Sequence, residues 1–207
     1  MANLMTADMK QHAHIDAASQ MRGNQRSTNV CLNAVQALVL YSLAEHQLGD
    51  ATTIRVTANG NSFSVGDDGR GHAIARTVAS APYLKFIYNH FDYPFGLNDA
   101  APVQLQGIGM SLINSLCSEL TVEVRKPDAM LRLTFRDGQL CGHEVRDVVT
   151  PAGETGNTIS GTIRPELGGD GVDNTSLALW LRQLLPAHPA LLIVFNGETL
   201  RTEQPTD

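Results

Sequence analysis

The chain has 207 residues, enough for one domain with a real core and too few for two, so a multi-domain machine is not expected. Its 15 basic and 21 acidic residues give a net charge of −6, and the bases are scattered rather than gathered in one stripe, which argues against a free-standing nucleic-acid binder. No apolar run approaches the roughly 18 residues needed to span a bilayer, so no membrane contact is expected. The opening MANLMTADMKQHAHIDAASQ has no basic start followed by an apolar stretch, so no secretory signal is expected. Cys31, Cys117 and Cys141 are odd in number and include no C-x-x-C pair, which predicts a reduced, cytoplasmic protein without a zinc site.

Residues 1–14 are polar, Met-rich and aperiodic, and are expected to form an arm ahead of a single domain over 15–203. From Thr28 to Leu48, Val30, Ala34, Ala37, Leu38, Tyr41 and Ala44 or Glu45 recur at three- and four-residue steps, with Gly49 as a stop, which predicts a long buried helix. Two alternating runs, 53–57 and 62–65, joined through Asn59-Gly60, predict a β-hairpin. Gly66-Asp67-Asp68-Gly69-Arg70-Gly71 follows directly. A poorly patterned stretch to Leu105 holds Tyr83, Phe86, Tyr88, Phe91, Tyr93 and Phe95 among several prolines and glycines, and predicts a helical start and a long loop. Gly107-Ile108-Gly109 then opens a predicted helix, MSLINSLCSEL. Strands are predicted at 121–125, 131–135, 140–145 and 158–164, with turns at Pro127-Asp128 and Asp137-Gly138. A capped start at Asp173 precedes a helix carrying Leu177, Trp180, Leu181, Leu184 and Leu185, which Pro186 ends. A last apolar run, 190–195, turns at Asn196-Gly197. This order predicts an α/β (α+β) two-layer sandwich, with a mixed, mostly antiparallel sheet and helices on one face.

Three glycine-bearing segments stand where regular elements end. Asp67 closes a strand, so its carboxylate is held at the sheet and suits an exocyclic amine such as adenine N6, while Gly69 and Gly71 let the backbone take positive φ and approach a ligand. Gly107 and Gly109 precede a helix whose free N–H groups and positive dipole end suit phosphate oxygens. Gly156-Asn157-Thr158 opens a strand and presents a hydroxyl. Taken singly, each is also an ordinary turn or helix entry.

In order and context, VGDDGRG after a hairpin, QGIGMSLINSLCSELTVEV some thirty-five residues on and TGNT later resemble the ATP-binding module of the GHKL superfamily, the Bergerat fold. The likeness is to DNA gyrase B and topoisomerase IV, covers about residues 15–200, and extends to LALWLRQLLPAHPALLIVF. It implies ATP or ADP as ligand, with Asp67 on the adenine amino group, Gly71 beside the base, Gly107, Ile108 and Gly109 on the phosphates, and Thr158 supporting the adenine side. The stretch from about Pro82 to Gln106 corresponds to the ATP lid, although Phe86, Ile87 and Phe91 read better as core than as ligand contacts.

In that family the first helix carries an acidic general base and, four residues later, an asparagine that binds Mg²⁺; one turn apart, both face the pocket. Counting back from Asp67 without gaps puts Ala37 and Tyr41 there. Matching on motif instead, Asn29-Val30-Cys31-Leu32-Asn33-Ala34 is similar to the box of histidine kinases, with Asn29 at the general-base position and Asn33 as the Mg²⁺ ligand. The second register is preferred, because buried amides must be satisfied; a plain helix cap at Asn29 is the alternative. Neither register supplies a carboxylate base, so the resemblance implies a nucleotide-dependent switch with weak or no hydrolysis. The transducer domain that follows in gyrase is not expected, and His72-Ala73 departs from the family's Ile-Pro. A histidine-kinase-like phosphotransferase accepting on His12 or His14, or a pseudo-ATPase interaction module, stands as the alternative. DNA contact is expected only through a protein partner, and homodimerisation stays open.

Overall fold

The computed structural model describes residues 29–75, 77–78, 81–89, 109–147 and 154–201. Helix α1 (Val30–Gln47) starts where Asn29 accepts the Leu32 N–H on its side chain and ends at Leu48, with Gly49 in the left-handed region. The hairpin is strands β1 (Thr53–Asn59) and β2 (Ser62–Asp67), closed by Gly60 and Asn61, with Asn59 opposite Ser62. A two-residue pairing of β3 (Thr77–Val78) with β4 (Ala81–Pro82), which the sequence pattern does not reveal, precedes α2 (Tyr83–Asn89).

Next, α3 (Met110–Leu116) runs into β5 (Cys117–Arg125), followed by β6 (Ala129–Arg136), β7 (Gln139–Asp147) and β8 (Gly156–Ile163). The helix expected through Leu120 therefore stops four residues early. Cys117, Leu120, Val122 and Val124 are buried in the sheet, and a register shift between Cys117 and Glu119 takes up the change from helical to extended period. Asp137 and Gly138 both take positive φ in the two-residue turn between β6 and β7, as a tight hairpin requires. The short α4 (Pro165–Gly168) and α5 (Asn174–Leu184) follow, the latter capped by Asp173; β9 (Leu192–Phe195) and β10 (Glu198–Thr199) complete the described chain.

One eight-stranded sheet has the order β10-β9-β1-β2-β8-β5-β6-β7, and only β1 with β9 is parallel within it. The architecture is thus the expected mixed, mostly antiparallel sheet with helices on one face. Alternation sorts the strands: Val56, Phe63, Val65, Leu120, Val122, Leu133, Phe135 and Ile159 are buried with the apolar side of α1, while Arg55, Thr57, Ser64, Thr121 and Thr158 lie on the other, more open face. Leu177 and Leu181 of α5 are fully buried in the same core. No helix among the described residues is long and apolar enough to cross a membrane.

Candidate functional site

The polar centre of the buried layer is Asp67, 3% exposed at the end of β2. Its Oδ2 accepts from Ser42 Oγ on α1 at 2.9 Å, and its Oδ1 accepts from the Gly69 N–H at 3.0 Å and the Asn157 N–H at 3.3 Å. The Asn157 side chain bonds it as well. Burial pushes the carboxyl above its usual range, and the bonds from Ser42, Gly69 and Asn157 oppose that rise. Every one of these donors is neutral, so the site holds an acceptor-only group without neutralising it by a cation.

Three glycines explain how the chain closes around Asp67. A Cβ at Gly156, whose φ is +129°, would fall on the Asp67 carbonyl, so β8 can pass β2 here only without a side chain. A Cβ at Gly69 would meet Asp67 Oδ1 at 3.0 Å and Glu45 Cβ at 3.3 Å. At Gly71, φ +69°, a Cβ would meet Arg125 O at 2.8 Å and Gly156 O at 3.1 Å. This last glycine is therefore demanded by close packing of protein backbone, a constraint that exists without any ligand.

The rest of the glycine motif is anchored outward. Asp68 accepts from the Thr52 and Thr53 N–H groups, each at 2.7 Å, and from Thr52 Oγ1 at 2.6 Å. Burial works against its charge, but those bonds prevail and hold the carboxyl below its ordinary value. Arg70 pairs with Glu45 at 3.1 Å and with Asp50 at 3.5 Å. Lys126 Nζ donates to the carbonyls of Arg70 and Gly71 at 2.7 and 2.8 Å. His72 donates its N–H to Asn157 Oδ1 at 2.9 Å. Burial, then the Lys126 and Arg70 charges, push the His72 imidazole down to about 4, so it is neutral at physiological pH.

The expected residues do not all converge. Asp67, Gly69 and Gly71 do, and Gly109 caps the start of α3 with extended backbone. Gly107 and Ile108 lie outside the described residues, as do His12, His14 and residues 90–106 of the expected lid, Phe91 included; Ile87 is buried, as expected of core.

Asn29 is a helix cap rather than a site residue. Its Oδ1 receives the Leu32 N–H and its Nδ2 donates to Gly171 O at 2.7 Å, so both ends of the amide are spent on structure. The residue of α1 that meets Asp67 is Ser42, and Asn33 precedes it by nine residues, about two and a half turns. Asn33 therefore leaves the helix on the side opposite Ser42 and about 13 Å nearer its start. The Asn29/Asn33 register is thereby displaced, and the ungapped count, with Ala37 and Tyr41, is the one compatible with the Ser42 contact. Burial raises the Tyr41 phenol above its usual range.

Thr158 is likewise off by one. Its hydroxyl lies on the open face of the sheet, where it accepts from Arg125 Nη1 at 3.1 Å. Asn157, 6% exposed, is the residue of β8 that reaches Asp67. The missed signal was the strand period: Asn157 shares its face with buried Ile159 and Ile163, and Thr158 with Ser160 and Thr162. Ser42 left no comparable signal, being one small polar residue inside an apolar helix.

No protein-family model matches the chain, and no curated protein matches it. Solved structures do. The topoisomerase IV ATP-binding domain of Francisella tularensis, in complex with a small-molecule inhibitor, superposes with a TM-score of 0.65 at 22% identity, over 80% of this chain and 83% of that one. The 43K ATPase domain of Thermus thermophilus gyrase B, in complex with an aminocoumarin, gives a TM-score of 0.67 at 24% identity over 81% of this chain. The fold is that of the GHKL ATPases. The likeness spans 44% of the Thermus chain, so it concerns one part of that protein. Within the GHKL fold of this chain, the two strand ends carrying Asp67 and Asn157 and the helix carrying Ser42 form one buried polar junction.

Proposed function

We propose that the chain is an adenine-nucleotide-binding module that works as a nucleotide-dependent switch, with weak hydrolysis or none. The observation that carries this reading is the buried Asp67 carboxylate, held by Ser42, Gly69 and Asn157 and kept as an acceptor for an N–H group. A group of that kind inside an apolar layer is costly unless it is used, and the exocyclic amine of adenine is the donor it suits. The phosphates then run toward Gly109, at the start of α3.

Magnesium fits less well than the nucleotide. Asn33 leaves α1 away from Asp67, and no group of three His, Cys, Asp or Glu side chains among the described residues could hold a metal ion. Hydrolysis lacks its base: Ala37 offers no titratable group, and Glu45 is engaged with Arg70. The missing general-base assistance corresponds to about 10²–10⁴ in rate.

Equilibrium binding of ADP and ATP to the chain, with phosphate release measured in parallel, tests the reading. Saturable binding with negligible turnover supports it. Rapid phosphate release refutes the switch, and a flat titration to millimolar nucleotide refutes binding altogether. The loss of both candidate register residues at the helix leaves the phosphotransferase reading without an observation in its favour.

A further inference from the structure

The sheet ends on one side at β7, which pairs with β6 along one edge and with no strand along the other among the described residues. Such an edge offers a row of backbone N–H and C=O groups to another strand. Val145 on it is 59% exposed, more than any other large apolar residue described, and stands opposite Leu131, which is buried. The apolar side of the sheet therefore runs out to this edge and stops there uncovered.

Charges on the open face set the pattern that an added strand must meet. Glu123, Arg132 and Glu144 stand opposite one another on β5, β6 and β7, so the sign alternates strand by strand and the row ends at the edge on an acid. Within it, Arg132 pairs with Glu123 at 3.2 Å. The next row, two residues along, holds Arg125, Met130 and Arg146 and ends on a base. Along β7 itself Arg146 pairs with Glu144 at 2.6 Å, and both side chains are exposed. The edge thus presents an acid and a base two positions apart on one face, and its complement is a base and an acid in the reverse order. An antiparallel copy of β7 is that complement.

We infer that the β7 edge is an interface between two copies of this chain, paired antiparallel about a two-fold axis at Val145 so that their sheets join into one. Glu144 of each copy then faces Arg146 of the other, His143 faces Asp147, and the two Val145 side chains cover each other. Pairing must keep every residue on its own side of the sheet, so the nearest alternative registers are centred on Glu144 and on Arg146, and each sets like charges against one another. One register is thereby selected, while the same charges deter indiscriminate strand addition. The contact spans residues 143–147 and is small, so association is weak, with a Kd on the order of 100 μM. It does not depend on the nucleotide reading.

Sedimentation of the whole chain and of edge variants over a concentration series tests the inference. The unsubstituted chain passes from monomer to dimer as concentration rises toward about 1 mM. Glu144→Arg and Arg146→Glu, each alone, set like charges in both pairs and weaken association at least about tenfold. An equimolar mixture of the two variants regains the dimer, because every charge then meets its opposite, and that recovery also shows both variants folded. In a Cys141→Ser background, Val145→Cys closes a disulfide between copies under mild oxidation, whereas His143→Cys, which faces position 147, does not. A chain that stays monomeric throughout overturns the inference and leaves the edge to an extended segment of a different protein. A dimer that survives both single variants, a mixture that fails to recover, or crosslinking by His143→Cys as fast as by Val145→Cys overturns it as well, since each puts the contact elsewhere.

Discussion

Asp67 and Asp68 are adjacent in the chain, yet their carboxylates face different surroundings: Asp67 turns inward to Ser42 and Asn157, and Asp68 turns outward to Thr52 and Thr53. Their proton affinities move apart as a result, upward for Asp67 because burial dominates and downward for Asp68 because its bonds outweigh its burial.

Opposite pH dependences follow from this pair. Asp67, raised in the folded state, contributes stability that is fully present below its ordinary value of 3.8 and is lost as pH rises through its folded value. Asp68, lowered in the folded state, contributes stability that is present above 3.8 and is lost as pH falls through its folded value. Urea unfolding between about pH 3 and 7 should show Asp67→Asn gaining stability relative to the unsubstituted protein as pH rises, and Asp68→Asn losing it. Parallel slopes for the two variants would contradict the assignment.

Ser42 is the only side-chain hydroxyl hydrogen bond described at the Asp67 carboxylate, and it is 5% exposed. Ser42→Ala leaves a charged acceptor one donor short, so unfolding free energy at neutral pH should fall by about 1–3 kcal/mol. A change within about 0.5 kcal/mol would mean that the bond is dispensable.

Neighbouring substitutions in β8 separate the two faces of the sheet. Asn157→Ala removes an amide that bonds both Asp67 and the His72 N–H, and should weaken stability and nucleotide binding together. Thr158→Val alters only the open face, where Arg125 keeps Glu123 as a partner, and should leave binding unchanged and stability within about 0.5 kcal/mol. Binding that follows Thr158 instead would restore the sequence-based expectation.

Gly156 offers a purely steric test. With φ at +129° and the Asp67 carbonyl where a Cβ would stand, Gly156→Ala must move β8 off β2. A loss of about 1–3 kcal/mol or more in urea unfolding is expected, with nucleotide affinity falling because Asn157 shifts as well.

Local chemistry explains what could be seen in the sequence. The helix cap at Asp173, the hairpin turns at Gly60 and Asp137-Gly138, and the period-two strands were legible because each depends on residues close in sequence. The β3–β4 pairing was too short to leave a pattern. The end of α3 was misread because MSLINSLCSEL has an apolar spacing that suits either period, and the choice is made by β8 pairing with β5 from forty residues away. In the site, Asp67 and its glycines could be found by motif. Ser42 could not, because its importance lies in a contact spanning 25 positions, whereas Asn157 was legible in the strand period that puts it on the face of Ile159 and Ile163. Asn29 misled for a physical reason: a capping amide and a ligand-binding amide look alike until their partners are known.

The central claim is that Asp67 is a buried carboxylate kept for a ligand's N–H group, and the most direct measurement is the affinity of Asp67→Asn for ADP beside its stability. Asparagine retains an acceptor for Gly69 and Asn157 and removes the buried charge, so the variant should fold with no loss of stability at pH 7, while ADP affinity falls by at least about tenfold. ADP binding at undiminished affinity by a well-folded Asp67→Asn protein would contradict the account.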